Sequence, residues 1–160
     1  MFVIEQVNIV LHLMSQEWPW IFPLIVIALG GIFGSFLTCM LYRVPRVISL
    51  TNPPSYCPNC DVKLKAIDLI PIVSYLIFKG KCHYCAVSVS PRYFLIELLT
   101  IAIFIVVYIM VGAQIALLPA LVLCVSLLFV IGLWVESRLV AIKVLLFSII
   151  VTSVLLCLMR

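Results

Sequence analysis

Apolar positions in this chain fall into long unbroken runs, without the alternation or helical striping that gives a water-soluble fold one wet face. Trp20–Tyr42 carries no formal charge and Tyr93–Gly112 carries one, Glu97; each meets or exceeds the ~20 residues a helix needs to cross a bilayer. Gln114–Val135 and Leu139–Met159 follow, with Lys143 near the start of the last, and their connections are short enough for helical hairpins. The pattern predicts an all-α polytopic membrane protein with about four transmembrane helices, at 20–42, 93–112, 114–135 and 139–159. Residues 1–19 form an N-terminal segment, and 43–92 form a loop between the first two helices. Within that loop the apolar run Ile67–Phe78 is about half a span long and is interrupted by Asp68, Pro71 and Ser74. It predicts an interfacial or loop-packed segment rather than a further crossing.

Composition agrees. Of 160 residues, 66% are apolar and 10% charged, and the mean hydropathy is +1.37, against roughly 45–50% apolar residues in soluble domains. A chain this short cannot hide that much apolar surface from water, so lipid is expected to be its solvent. The first apolar run is preceded by Glu5, His12 and Glu17 rather than by Lys or Arg. It therefore lacks the basic region of a cleavable signal peptide and is expected to be retained.

Charge sets the expected orientation. Seven of the ten Lys and Arg residues, namely Arg43, Arg46, Lys63, Lys65, Lys79, Lys81 and Arg92, lie in the 43–92 loop. That bias predicts a cytoplasmic loop and an external N-terminus in a multi-pass protein of the inner, cytoplasmic membrane. The net charge of +4 is explained by this topology signal, or by attraction to anionic headgroups. No basic stripe or nucleic-acid motif accompanies it, so nucleic acid is not an expected partner.

The chemistry-bearing pattern is Cys57-Pro58-Asn59-Cys60 with Cys82-His83-Tyr84-Cys85, both inside the basic loop. Each CxxC turns two thiolates toward one point, and four sulfurs satisfy a tetrahedral Zn²⁺ while stabilising a loop with little core of its own. The 21 residues between the pairs slightly exceed the usual window. Cytoplasmic thiols are kept reduced, which favours a structural zinc over disulfides or a redox pair as the alternative. His83 sits between two ligands and is expected to be a bystander, since adjacent residues rarely face one ion from a tight turn. Cys39, Cys124 and Cys157 lie in apolar helices, where a thiol behaves as a small hydrophobe.

Several motifs occur in a fixed order. Gly34-Ser35-Phe36-Leu37 leads to Tyr42-Arg43-Val44-Pro45, then come the first CxxC and Asp68-Leu69-Ile70-Pro71-Ile72-Val73-Ser74-Tyr75. Gly80-Lys81 and the second CxxC follow, then Ser90-Pro91-Arg92-Tyr93 with Glu97. Together, over about 34–100, they resemble the N-terminal domain of type IV prepilin leader peptidases. The resemblance implies a membrane enzyme that removes the basic leader from prepilins or pseudopilins, for type IV pili, type II secretion or DNA uptake. In many members it also methylates the new N-terminus using S-adenosylmethionine, and in members with this tetracysteine pattern the loop would hold zinc.

The family's peptidase belongs to the aspartic class, whose chemistry needs two carboxylates, one acting as base on water and the other as acid on the scissile amide. The second family aspartate lies in a GxGD motif that this sequence does not contain. The first should fall near 128–138, where Glu136 is the only carboxylate. Glu136 is at best a substitute for it, and the sequence predicts a truncated or peptidase-deficient family member. A second polypeptide supplying the peptidase core is one expectation. An inactive remnant, or a membrane assembly module built on a structural zinc loop, is the alternative.

Remaining residues have bland readings beside sharper ones. Glu97, about a turn into the second span, is a catalytic candidate because a carboxylate in lipid is expensive; the alternative is pairing with Arg43 or Arg92 at headgroup level. Asp68 is expected to cap a helical turn. Gly30, Gly31, Gly34 and Ser35 form small-xxx-small pairs suited to close helix packing. Trp18, Trp20 and Trp134 read as interfacial anchors.

Overall fold

The computed structural model describes residues 2–52, 54–136 and 138–158, with the side chains of 135, 136, 138–141, 144, 152, 155, 156 and 158 outside the description. Among the described residues six α-helices follow one another: α1 (Phe2–Glu17), α2 (Ile21–Arg43), α3 (Val73–Ile77), α4 (Pro91–Val111), α5 (Leu117–Glu136) and α6 (Arg138–Leu158). A single 3₁₀ turn spans Ala66–Leu69, and no strand forms among the described residues. The fold is all-α, as the apolar runs predict. Among the described residues α2, α4 and α5 are long and apolar enough to cross a membrane, which makes this a multi-pass membrane protein. The fourth predicted span falls on α6, a 21-residue helix several of whose residues lie outside the described ones.

The N-terminal segment, for which the apolar pattern predicts no element, is a 16-residue helix with no buried residue among those described. Its polar residues interrupt the apolar pattern without stopping helix formation. One bond ties it to the rest: the Asn8 side-chain oxygen accepts the Ile115 N–H at 2.9 Å, just ahead of α5, where backbone donors have no intrahelical acceptor.

Helices α2 and α4 pack antiparallel along a seam of small residues. A Cβ on Gly30 would lie 2.9 Å from Ile101 Cα, and one on Gly34 would lie 2.8 Å from Glu97 Cα. Only hydrogen fits there, as the small-xxx-small pattern requires. One apolar cluster joins Val26, Phe104, Leu117 and Leu121 across α2, α4 and α5, and a second joins Leu37, Phe129, Val130 and Leu133. Helix α4 starts where Ser90 accepts the Arg92 N–H with Pro91 in the first turn, a combination that satisfies an orphan donor and removes another. It ends at Gly112, whose φ of 76° suits glycine. The α2–α4 pair thus holds both ends of the 43–90 loop.

Candidate metal centre and the cleft beneath it

The loop folds its two CxxC segments into matching turns. In the first, the Cys57 N–H donates to Val62 O at 3.1 Å, Asp61 N–H to Cys57 O at 2.9 Å, and Leu64 N–H to Ser55 O at 2.9 Å. In the second, Cys82 N–H donates to Val87 O at 2.8 Å, Ala86 N–H to Cys82 O at 3.0 Å, and Val89 N–H to Gly80 O at 2.8 Å. Isolated antiparallel bridges pair Tyr56 with Lys63 and Lys81 with Ser88. Asp61 and Ala86, each just after a second cysteine, carry positive φ values of 54° and 58°, the tight reversal that turns both sulfurs inward.

The four sulfurs of Cys57, Cys60, Cys82 and Cys85 lie within 4.8 Å of one another. Cys57 Sγ and Cys85 Sγ are 3.8 Å apart, and all four thiols are unbridged. A tetrahedral site with metal–sulfur bonds of about 2.3 Å has sulfur–sulfur edges of about 3.8 Å. The cluster therefore fits a metal ion, joined from both knuckles as the spacing predicts. Backbone N–H groups of Asn59 and Cys60 point at Cys57 and lower its thiol pKa. The Val87 N–H, then the Asn59 amide at 3.5 Å, bring Cys85 down to about 6. At Cys60 the Val62 N–H acts in the lowering direction, but desolvation and the crowding of Cys85 and Cys57 push the thiol up to about 12. Such sharing of charge among adjacent sulfurs is relieved when a cation sits between them.

His83 lies outside the group of four clustered sulfurs and has partners of its own. Its ring stacks on Phe78 with centroids 4.4 Å apart, and its Nδ1 lies 3.1 Å from Asp68 Oδ1. Asp68 also accepts Tyr84 OH at 3.0 Å and the Lys65 N–H at 2.8 Å. The capping role expected of Asp68 is present, reaching back from the 3₁₀ turn to Lys65. The same carboxylate also clamps the second knuckle. Burial alone would raise its pKa; the Lys65 N–H, His83 and Tyr84 outweigh that and hold it below 3.8.

Glu97 is buried, and its hydrogen-bond partner is a backbone N–H and neither of the two arginines weighed for it. Among the described residues no ion pair joins it to Arg43 or Arg92; its Oε2 accepts the Ile72 N–H at 2.7 Å. Arg43, also buried, donates instead to Ser49 O at 2.7 Å. Ile72 sits at φ 61°, ψ −49° between Pro71 O and the Val73 N–H, which bond to each other. This is a γ-turn of the strained, positive-φ kind. Glu97 fixes it from below.

Between the knuckles and the ends of α2 and α4 lies a cleft of ≈ 570 Å³, lined in part by Tyr42, Arg43, Asp68, Tyr75, His83 and Glu97. Its size and mixed aromatic and charged lining suit a small molecule. The remaining catalytic candidate, Glu136, closes α5 and its side chain lies outside the described residues. Cys39 lines the cleft, while Cys124 and Cys157 lie on α5 and α6 away from the cluster.

The profile of the bacterial peptidase A24 N-terminal domain matches residues 28–111, the stretch from mid-α2 to the end of α4. A prepilin leader peptidase/N-methyltransferase of Neisseria gonorrhoeae is 39% identical over 54% of this chain and 38% of its own length. One from Myxococcus xanthus is 41% identical over 64% of this chain and 31% of its own. One from Klebsiella pneumoniae is 30% identical over 78% of this chain and 58% of its own. The chain thus spans between about a third and three-fifths of the length of these relatives. No solved structure matches it. With more than half of its residues matched and the tetracysteine loop folded between its first two spanning helices, the chain belongs to the bacterial peptidase A24 N-terminal domain family.

Proposed function

We propose that the chain serves prepilin or pseudopilin processing as the zinc-bearing N-terminal part of that machinery, without peptidase activity in these 160 residues. The observation that carries this reading is the family match over 28–111, together with relatives named leader peptidase/N-methyltransferase. Zinc is the ion best suited to four thiolates, because it accepts tetrahedral sulfur and has no redox chemistry in a reducing compartment. A site closed by four cysteines has no open position for substrate, so its role is structural. The basic loop faces the cytoplasm by its Lys and Arg content, which leaves α1 on the outer side.

Cleavage by an aspartic mechanism needs a second carboxylate beside the first. The sequence offers Glu136 alone near the position of the first family aspartate and has no GxGD, so the peptidase core would have to come from outside these 160 residues. Methyl transfer is the activity this part would retain. S-adenosylmethionine supplies the methyl group when bound. The ≈ 570 Å³ cleft has the size for it.

The test uses the full chain in lipid vesicles with a prepilin-like peptide and methyl-labelled S-adenosylmethionine. No cleavage is expected, with or without Glu136→Gln; cleavage abolished by Glu136→Gln would overturn the peptidase-deficient reading. Label transferred to a pre-cleaved peptide supports methyl transfer. Neither transfer nor peptide binding would leave the inactive remnant or assembly module as the better reading.

A further inference from the structure

The loop segment Ala66–Phe78 descends along α4 step by step. Tyr75 stacks on Phe94 with centroids 5.0 Å apart, Ile72 bonds to Glu97, and Pro71 meets Gly31, where an added Cβ would lie 3.1 Å from Pro71 Cβ and 3.6 Å from Ile101 Cδ1. Phe94, Glu97 and Ile101 are successively deeper in α4. Ile101 is ten residues from Pro91, about 15 Å at the rise of an α-helix. Gly31 is twelve residues from Arg43, about 18 Å by the same measure. The two spanning helices therefore agree that Pro71 reaches the middle of a hydrocarbon layer about 30 Å thick.

Along this descent Ile70, Val73, Leu76 and Ile77 are each at least 43% exposed, so large apolar side chains face away from the protein at the depth of the bilayer. The backbone carries its own partners. Ser74 N–H donates to Ile70 O, Leu76 N–H to Ile72 O and Phe78 N–H to Ser74 O, each at 3.0 Å, and Pro71 has no N–H to satisfy. Non-helical backbone at membrane depth needs acceptors from the protein. At the apex Glu97 supplies one to Ile72, which also accounts for a carboxylate in a spanning helix.

We propose that Ala66–Phe78 is a re-entrant wedge, entering and leaving on the loop side, whose Ile70, Val73, Leu76 and Ile77 face lipid acyl chains, with Pro71 near the bilayer centre. The partner is the hydrocarbon interior itself, and the proposal stands independently of any processing activity. Its position brings the top of the wedge, through Asp68 and Phe78, against the second knuckle, so the metal centre is seated on the membrane.

The experiment places one tryptophan at a time in the full chain, after Trp18, Trp20 and Trp134 are changed to Phe, and reconstitutes it in phosphatidylcholine vesicles. Ile70→Trp is expected to lose emission to lipids brominated deep in the acyl chain and to ignore iodide in the water. Leu76→Trp, closer to the loop side, is expected to respond more to bromines near the headgroup. Lys63→Trp, exposed on the first knuckle, is expected to be quenched by iodide alone. Iodide quenching at Ile70→Trp and Leu76→Trp would put the segment in water and overturn the proposal. Protection of both from either quencher would overturn it too, by showing protein over the apolar face. Should Ile70→Trp lose metal and so report a misfolded loop, Leu76→Trp decides.

Discussion

The first cysteine knuckle, 55–64, and the second, 80–89, repeat each other bond for bond, yet their surroundings differ. Where the first carries Pro58 and Asn59, the second carries His83 and Tyr84. Those two rings bind the Asp68 carboxylate and His83 stacks on Phe78, so the second knuckle is fastened to the segment that packs on α2 and α4. Asn59 makes a different contact: its amide reaches across the cluster to Cys85 Sγ. The second knuckle is tied to the rest of the protein through Asp68 and Phe78 as well as through the sulfur cluster, while Asn59 of the first reaches only into the cluster. The same local sequence device can therefore give two different stabilities, decided by the two residues inside each CxxC.

That contrast can be broken most forcefully at the metal. Cys57→Ser is expected to reduce bound zinc from one per chain to none and to open the loop to protease while helical circular dichroism persists, since the thiolates hold a segment with little apolar core. Protease resistance unchanged by this substitution in the reduced state would refute a structural metal. In the wild-type chain stripped by chelator, cleavage is expected first within 55–64 and later within 80–89.

A smaller effect is expected one shell out. Asp68→Ala removes three contacts to one carboxylate and should weaken zinc binding on the order of 10–100-fold, the usual cost of losing groups that orient ligands. Amide exchange in the second knuckle should then rise to the level of the first. Asn59→Ala, which deletes one weak bond to sulfur, should cost less. Competition titrations with a chelator of known affinity rank the two, and the reverse order would mean that the first knuckle is the anchored one.

The smallest effect is a titration. Desolvation, then the bond to Asp68, raise the Tyr84 phenol above 10.0. The donating form is the neutral one, so this contact is intact below pH 10.0 and is lost as pH rises through the raised value. In an ultraviolet titration Asp68→Asn should bring the ionisation of Tyr84 back down toward the ordinary value. The Asp68 side has the opposite sign: its carboxylate is depressed, so its contribution is complete above 3.8 and disappears as pH falls through the lower, folded value.

Much of this architecture is legible in the sequence because its causes are local. Runs such as Trp20–Tyr42 announce spanning helices through length alone, Gly30 and Gly34 mark the seam, and CxxC spacing points four sulfurs at one centre. What escapes is set by contacts between residues far apart in the chain. Nothing near Glu97 indicates that its acceptor will serve Ile72, 25 residues earlier, in place of an arginine. Asp68 reads as a cap, and its bonds to His83 and Tyr84 emerge only once the knuckle folds over it. Helix α1 is missed because Glu5, Asn8, His12 and Gln16 break the apolar run, although none of them opposes helix formation strongly.

The glycine seam has a consequence for the order in which the molecule assembles. A free chain of 47 residues, Val44–Ser90, would lose about 3 kcal/mol of closure entropy on bringing its ends together. Once Gly30 and Gly34 let α2 and α4 meet in the bilayer, those ends are already fixed at neighbouring points. An ion taken up by the four sulfurs would then close only the shorter path between the knuckles. Helices would then zip first and an ion arrive last, so a chain caught before zinc loading is expected to be threaded through the membrane already, with its loop still unfinished.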